Sequence, residues 1–181
     1  MSDLTLEERY SSATRSSNLT VSATRTTDAD VLLAAGYAAQ KNYKAMQALE
    51  FYRLQGGDMA GFNRLAGVAG QWIHNRSRRQ GRKRRNALQA RDIASRALLW
   101  WMNPTCKACN GIGHPLITGT PVINYGHDCG VCHGTGKYPI QRVVPVGSSD
   151  EARWLIDHID WMVHSIFDDM AKLLYKRLKE I

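Results

Sequence analysis

The sequence predicts a mainly α-helical protein, interrupted by a compact four-cysteine module and closed by a long amphipathic helix. Three observations carry this. Apolar residues recur at helical spacing through residues 28–103. All four cysteines fall in two C-x-x-C pairs, nineteen residues apart. A single apolar stripe runs through about the last thirty residues.

Taken in order, residues 1–27 are rich in Ser and Thr and poor in large apolar side chains. Such a segment buries too little surface to offset its ordering entropy, so a disordered tail is expected. Thr27 opens the first helix as a cap, with Asp28 and Asp30 at its positive end. Val31, Leu32, Ala35, Tyr37 and Ala38 mark its apolar positions. A second helical stretch carries Tyr43, Met46, Leu49, Phe51 and Tyr52 and ends at Gly56-Gly57. A third starts near Met59 and carries Phe62, Leu65, Val68, Ala69, Trp72 and Ile73. Gly61, Gly67 and Gly70 either weaken it, at ~1 kcal/mol each, or let another helix come close. A fourth helix, roughly Ala87–Met102, turns Leu88, Ile93, Ala97, Leu98 and Trp101 inward and Arg91 and Arg96 outward. Asn103-Pro104 stops it. Residues 104–138 form the cysteine module, with a short β-hairpin or an irregular loop between its halves. Residues 139–181 hold the last helix, expected to pack on the helical region 28–103. Ser148 and Glu151 are spaced as a capping box. The stripe from Leu155 through Leu174 to Ile181 reads as core packing before coiled-coil seam.

The strongest charge feature lies between the third and fourth helices. Arg76, Arg78, Arg79, Arg82, Lys83, Arg84 and Arg85 place seven cations in ten residues. Mutual repulsion predicts an exposed segment that resists packing. The whole chain has a formal charge of +8. Such a balance favours polyanions, nucleic acid first, although many basic proteins bind none. No apolar run approaches the ~18 residues of a membrane span. No charged start followed by an apolar stretch marks export, so a reducing cytoplasm is the expected setting.

The two cysteine pairs read Cys106-Lys107-Ala108-Cys109-Asn110-Gly111-Ile112-Gly113 and Cys129-Gly130-Val131-Cys132-His133-Gly134-Thr135-Gly136. Each is C-x-x-C-x-G-x-G. One tight turn aims two sulfurs at a point, and the second pair completes a tetrahedron. The expected ligands of one structural Zn2+ are therefore Cys106, Cys109, Cys129 and Cys132. Four thiolates and one Zn2+ carry a net −2, which leaves the loaded chain basic. The glycines permit positive φ where the chain turns back toward the sulfurs. A redox dithiol would need a βαβ setting, and disulfides an oxidising compartment. Cys129-x-x-Cys132-His133 also matches a c-type haem attachment, without a second feature to support it. A catalytic zinc would keep an open position, which four cysteines close. His114, His127 and His133 read as solvent-facing or supporting residues.

One such knuckle is similar to the zinc domain of DnaJ-type chaperones. That family uses four copies after a domain with a His-Pro-Asp signature, which this chain lacks. More of the chain, roughly 26–170, resembles the late-gene antitermination factor Q of lambda-type phages. The residues that carry it are the Ser/Thr-rich start followed by Thr27-Asp28-Ala29-Asp30-Val31-Leu32-Leu33-Ala34-Ala35-Gly36-Tyr37, the helical region ending at Pro104 just before the first knuckle, and the paired knuckles with a long insert and a helical end. The resemblance implies a protein that binds a late-promoter DNA element. It implies engagement of paused bacterial RNA polymerase with its sigma factor, and passage through pauses and terminators. It also implies that the zinc module braces a helix-turn-helix-like reader.

The residues fit this independently. The seven cations can neutralise phosphates and release counterions. Phosphate contacts position a protein; base reading needs a few side chains in a groove. Candidates for the latter are Asn86, Gln89, Arg91 and Arg96 on the fourth helix, with Lys107 and Asn110 at the knuckle; the plain alternative for each is solvated surface. No nucleophile–base pair or paired carboxylates stand out, so no enzyme is expected. The other readings are a zinc-dependent chaperone-like adaptor for a protein client, and an Arg-rich RNA-binding protein.

Overall fold

A computed structural model describes residues 4–17, 19, 27–40, 43–80, 85–117, 120 and 122–179. The architecture is mainly helical, as expected. Six α-helices are described: α1 Leu6–Ala13, α2 Asp28–Gln40, α3 Tyr43–Gln55, α4 Phe62–Arg79, α5 Ala87–Met102 and α6 Ser149–Lys179. Among the described residues β pairing is limited to two isolated bridges, Thr105 with Lys137 and Leu116 with Ile123. The cysteine module is thus an irregular loop with a minimal β-pairing in its insert.

The chain divides into two compact units, 1–62 with 157–181, and 63–156. These differ from the divisions expected at 28–103, 104–138 and 139–181. The reason is α6, whose 31 residues far exceed the 13 of α2 or α3. Its first turns belong to the second unit and the rest to the first.

In the first unit α1 packs on α2 and α2 on α3. The expected disordered tail is corrected here, since residues 6–13 are a capped helix. Thr5 and Glu8 form a capping box, each side chain bonding the other's backbone N–H. Tyr10 and Ala13 are buried. The Tyr10 ring meets Tyr52 at 6.0 Å and Phe167 at 5.9 Å, while Tyr52 and Phe167 lie 4.8 Å apart nearly edge-on. Each such pair contributes about 0.5–1.5 kcal/mol beyond its area. Burial also raises the Tyr10 phenol pKa. At Thr27 the roles differ from those expected. Its N–H and its hydroxyl both donate to the buried Asp30 carboxylate, at 2.9 and 3.0 Å. In α6, Ile159, Met162, Val163, Ile166, Met170 and Leu174 are buried, so this stretch of the stripe is core.

In the second unit α4 and α5 approach closely. A Cβ on Gly70 would lie 2.9 Å from the Arg91 Cα, so the glycine is what permits the contact. Gly67 faces open space, and there only the helix-weakening reading applies. Ile93, Ala97, Leu98 and Trp101 are inward as expected, but Leu88 is 79% exposed. It lies in the first turn of α5, ahead of the Gly70–Arg91 contact. The Ser148–Glu151 capping box does not form. The Ser148 Oγ is buried without a hydrogen-bond partner, and Glu151 pairs instead with Arg85.

Candidate metal centre

The four cysteines converge. Their sulfurs lie within 4.8 Å of one another, and all four side chains are buried. The Cys109 and Cys132 sulfurs are 3.6 Å apart. A tetrahedron with ~2.3 Å metal–sulfur bonds has edges of about 3.8 Å, so the cluster fits one metal ion. The spacing is far too long for a disulfide, and none joins the four.

Local backbone explains the convergence. The two knuckles have the same conformation at matching positions. Asn110 and His133 both take left-handed φ, 50° and 51°, as do Gly111 and Gly134, and then Gly113 and Gly136. The halves also hold each other reciprocally. The Cys106 N–H donates to the Gly136 carbonyl at 2.8 Å, and the Cys129 N–H to the Gly113 carbonyl at 2.7 Å. A Cβ at Gly113 would strike the Gly134 carbonyl, and one at Gly136 the Gly111 carbonyl. Glycine is needed at both for conformation and for room. The Gly113 N–H donates to the Cys109 sulfur at 3.3 Å.

The cluster shifts two of its thiols in opposite directions. Backbone N–H groups of Cys132 and Val131 pull the Cys129 thiol down to about 7. Burial pushes Cys132 up to about 11, with the Cys109 sulfur adding to the shift. Metal ligation needs all four deprotonated and links binding to pH. With four sulfurs the shell closes, which leaves no position for substrate. His114 is not in the cluster; its Nδ1 lies 3.0 Å from the His127 carbonyl and 3.8 Å from Asp128. His127 and His133 are exposed.

The module is fastened to the end of α5. Its exit residue Tyr138 donates its N–H to the Pro104 carbonyl at 2.7 Å, and the Tyr138 carbonyl accepts from the Trp100 indole. The pairing of Trp100 with Tyr138 is not readable from sequence, because nothing local joins residues 38 positions apart.

The candidate nucleic-acid residues divide sharply. Arg78 and Arg79, on the last turn of α4, are exposed. Arg82, Lys83 and Arg84 lie outside the described residues. Arg76 and Arg85 correct the expectation of a wholly exposed segment. The Arg76 guanidinium sits 4.4 Å above the Trp154 ring. One of its nitrogens is buried without a hydrogen-bond partner, so the indole face is its main compensation. Arg85 donates to the Gly147 carbonyl at 2.7 Å and lies 3.4 Å from Glu151, with side chains 17% and 12% exposed. Its carbonyl meets His74 Nδ1 at 2.9 Å. Asn86 and Gln89 are engaged in the capping box of α5, at 2.8 and 3.2 Å. Arg96 holds both Asp92 oxygens, at 2.9 and 3.0 Å. Arg91, Lys107 and Asn110 are exposed.

Comparison with known proteins gives no match to any family model, curated protein or solved structure. Among the described residues no helix is long and apolar enough to cross a membrane.

Proposed function

We propose that the four cysteines hold one structural Zn2+, and that the chain is a DNA-binding transcription antitermination factor of the phage Q type. In this reading it binds a late-promoter element, loads onto paused RNA polymerase with its sigma factor, and carries it through pauses and terminators. The observation that carries the reading is the joint between α5 and the metal module. Pro104 and Trp100 at the end of α5 are clamped to Tyr138, where the module ends. A closed tetrathiolate site there acts as a brace for a helix pair that carries exposed arginines. The order of helical region, proline, paired knuckles with a long insert and helical end is the order on which the resemblance rests, and the basic segment is an addition to it. Soft sulfur ligands in a tetrahedral set favour Zn2+ over hard cations.

The test is terminator readthrough by purified bacterial polymerase on matched and mismatched late promoters, with and without the zinc-loaded chain. Readthrough only on the matched template supports the reading. Readthrough unchanged on both contradicts it.

One observation favours an adaptor as the second reading. The module and its insert leave Leu116, Ile117, Val122 and Tyr125 between 45% and 71% exposed. Exposed apolar residues grouped in one loop are a feature of protein-interaction sites. Suppression of client aggregation, without promoter selectivity, would favour that reading.

A further inference from the structure

We propose a division of labour within the basic segment: Arg76 and Arg85 are positioning residues anchored on the start of α6, while Arg78 and Arg79 make the phosphate contacts. This rests on the DNA-binding reading.

The two flanks of the segment are fixed to one short stretch of chain. Arg76 stacks on Trp154 at 4.4 Å. Arg85 holds the Gly147 carbonyl at 2.7 Å and Glu151 at 3.4 Å. Gly147, Glu151 and Trp154 span the turn before α6 and its first two turns. The same element therefore grips both ends of the run. His74 adds a third hold through the Arg85 carbonyl at 2.9 Å. A guanidinium already spent on a carboxylate, a carbonyl or an indole face is a poor phosphate ligand, because binding would first break that contact. Among the described residues Arg78 and Arg79 carry no such commitment, and both are exposed on the last turn of α4. Anchoring Arg76 in advance holds the last turn of α4 in place, so only the Arg78 and Arg79 side chains are left to order when a polyanion arrives.

The experiment measures duplex DNA affinity against salt for the full-length, zinc-loaded chain, with melting temperature checked for each variant. Each phosphate contact contributes ~0.9 to the slope of log affinity on log salt. Arg78→Gln and Arg79→Gln are expected each to lower the slope by about 0.9. Arg76→Gln and Arg85→Gln are expected to weaken binding equally at every salt concentration and to leave the slope unchanged. If Arg85→Gln does not fold, Arg85→Lys replaces it. That variant keeps the charge but loses the two-point hold. An anchor then loses affinity at constant slope, whereas a phosphate contact keeps both affinity and slope. A slope carried by Arg76 and Arg85, with Arg78 and Arg79 silent, overturns the division of labour alone. A wild-type chain without salt-dependent duplex binding overturns the DNA reading and this division with it.

Discussion

The cysteine module and the arginine segment are both short runs dense in one chemistry, yet they are assembled in opposite ways. In the module every copy of the residue converges, with four sulfurs within 4.8 Å. In the segment the described arginines part company. Arg76 and Arg85 turn to α6, and Arg78 and Arg79 face solvent. A shared metal removes the repulsion between thiolates, so like ligands can be buried together. Arginines have no such common partner. Each must find its own anion, carbonyl or ring, or remain in water. Identical residues in one run therefore take different jobs.

The largest expected effect tests convergence. Cys109→Ser or Cys132→Ser should abolish metal binding and unfold the module, since structural zinc contributes apparent binding energies of about 10–16 kcal/mol in small modules. Metal content and thermal melting of the variants check it. A variant that keeps its metal and its melting curve would contradict the shared role of the sulfurs. Next come the glycines that bring the halves together. Gly113→Ala or Gly136→Ala meets a carbonyl at a left-handed position, φ 86° and 69°, and should cost more than ~2 kcal/mol. Chemical denaturation with metal present measures this. By contrast, an added Cβ at Gly130 meets nothing within 4 Å. Its replacement by Ala should leave both metal content and stability nearly unchanged.

The arginine side of the comparison has a smaller scale. Arg85→Gln should destabilise by about 1–3 kcal/mol, because Glu151 is left half-buried without its partner. A double-mutant cycle with Glu151→Gln should recover part of that loss. Full additivity would mean that the pair does not anchor the segment. Effects of similar or smaller size are expected in the helix that carries Arg76, Arg78 and Arg79. Gly70→Ala should destabilise by ~1–3 kcal/mol through its clash with Arg91. Gly67→Ala, with open space around it, should stabilise by about 0.5–1 kcal/mol. Equal effects at the two glycines would remove the close approach of α4 and α5.

What was legible in the sequence follows the same contrast. A C-x-x-C turn encodes its geometry within four residues, so the convergence of the four cysteines could be read directly. The end of α5 was equally local, set by Asn103-Pro104; its start is set by Asn86, a base-reading candidate from sequence that caps the helix instead. The long stripe of α6 was visible because its period repeats over many turns. The fate of Arg85 was not legible, because its partners Glu151 and Gly147 lie 66 and 62 residues away. The capping box at Ser148 failed for the same reason, as Glu151 was drawn to that distant arginine. Helix α1 was hidden by composition. Its Thr5-x-x-Glu8 signature was present, but its burial depends on Tyr52 and Phe167, far along the chain. Leu88 followed helical period but precedes the contact of α5 with α4, and periodicity alone does not say where a neighbour begins.

One zinc ion at the four cysteines is proposed to brace a DNA-binding helix pair. The most direct test of this claim is duplex binding by the full chain as prepared, after removal of metal by a chelator, and after return of Zn2+. The expected result is loss of binding on chelation and full recovery with one equivalent of Zn2+. Binding that is unchanged in the metal-free chain would contradict the claim.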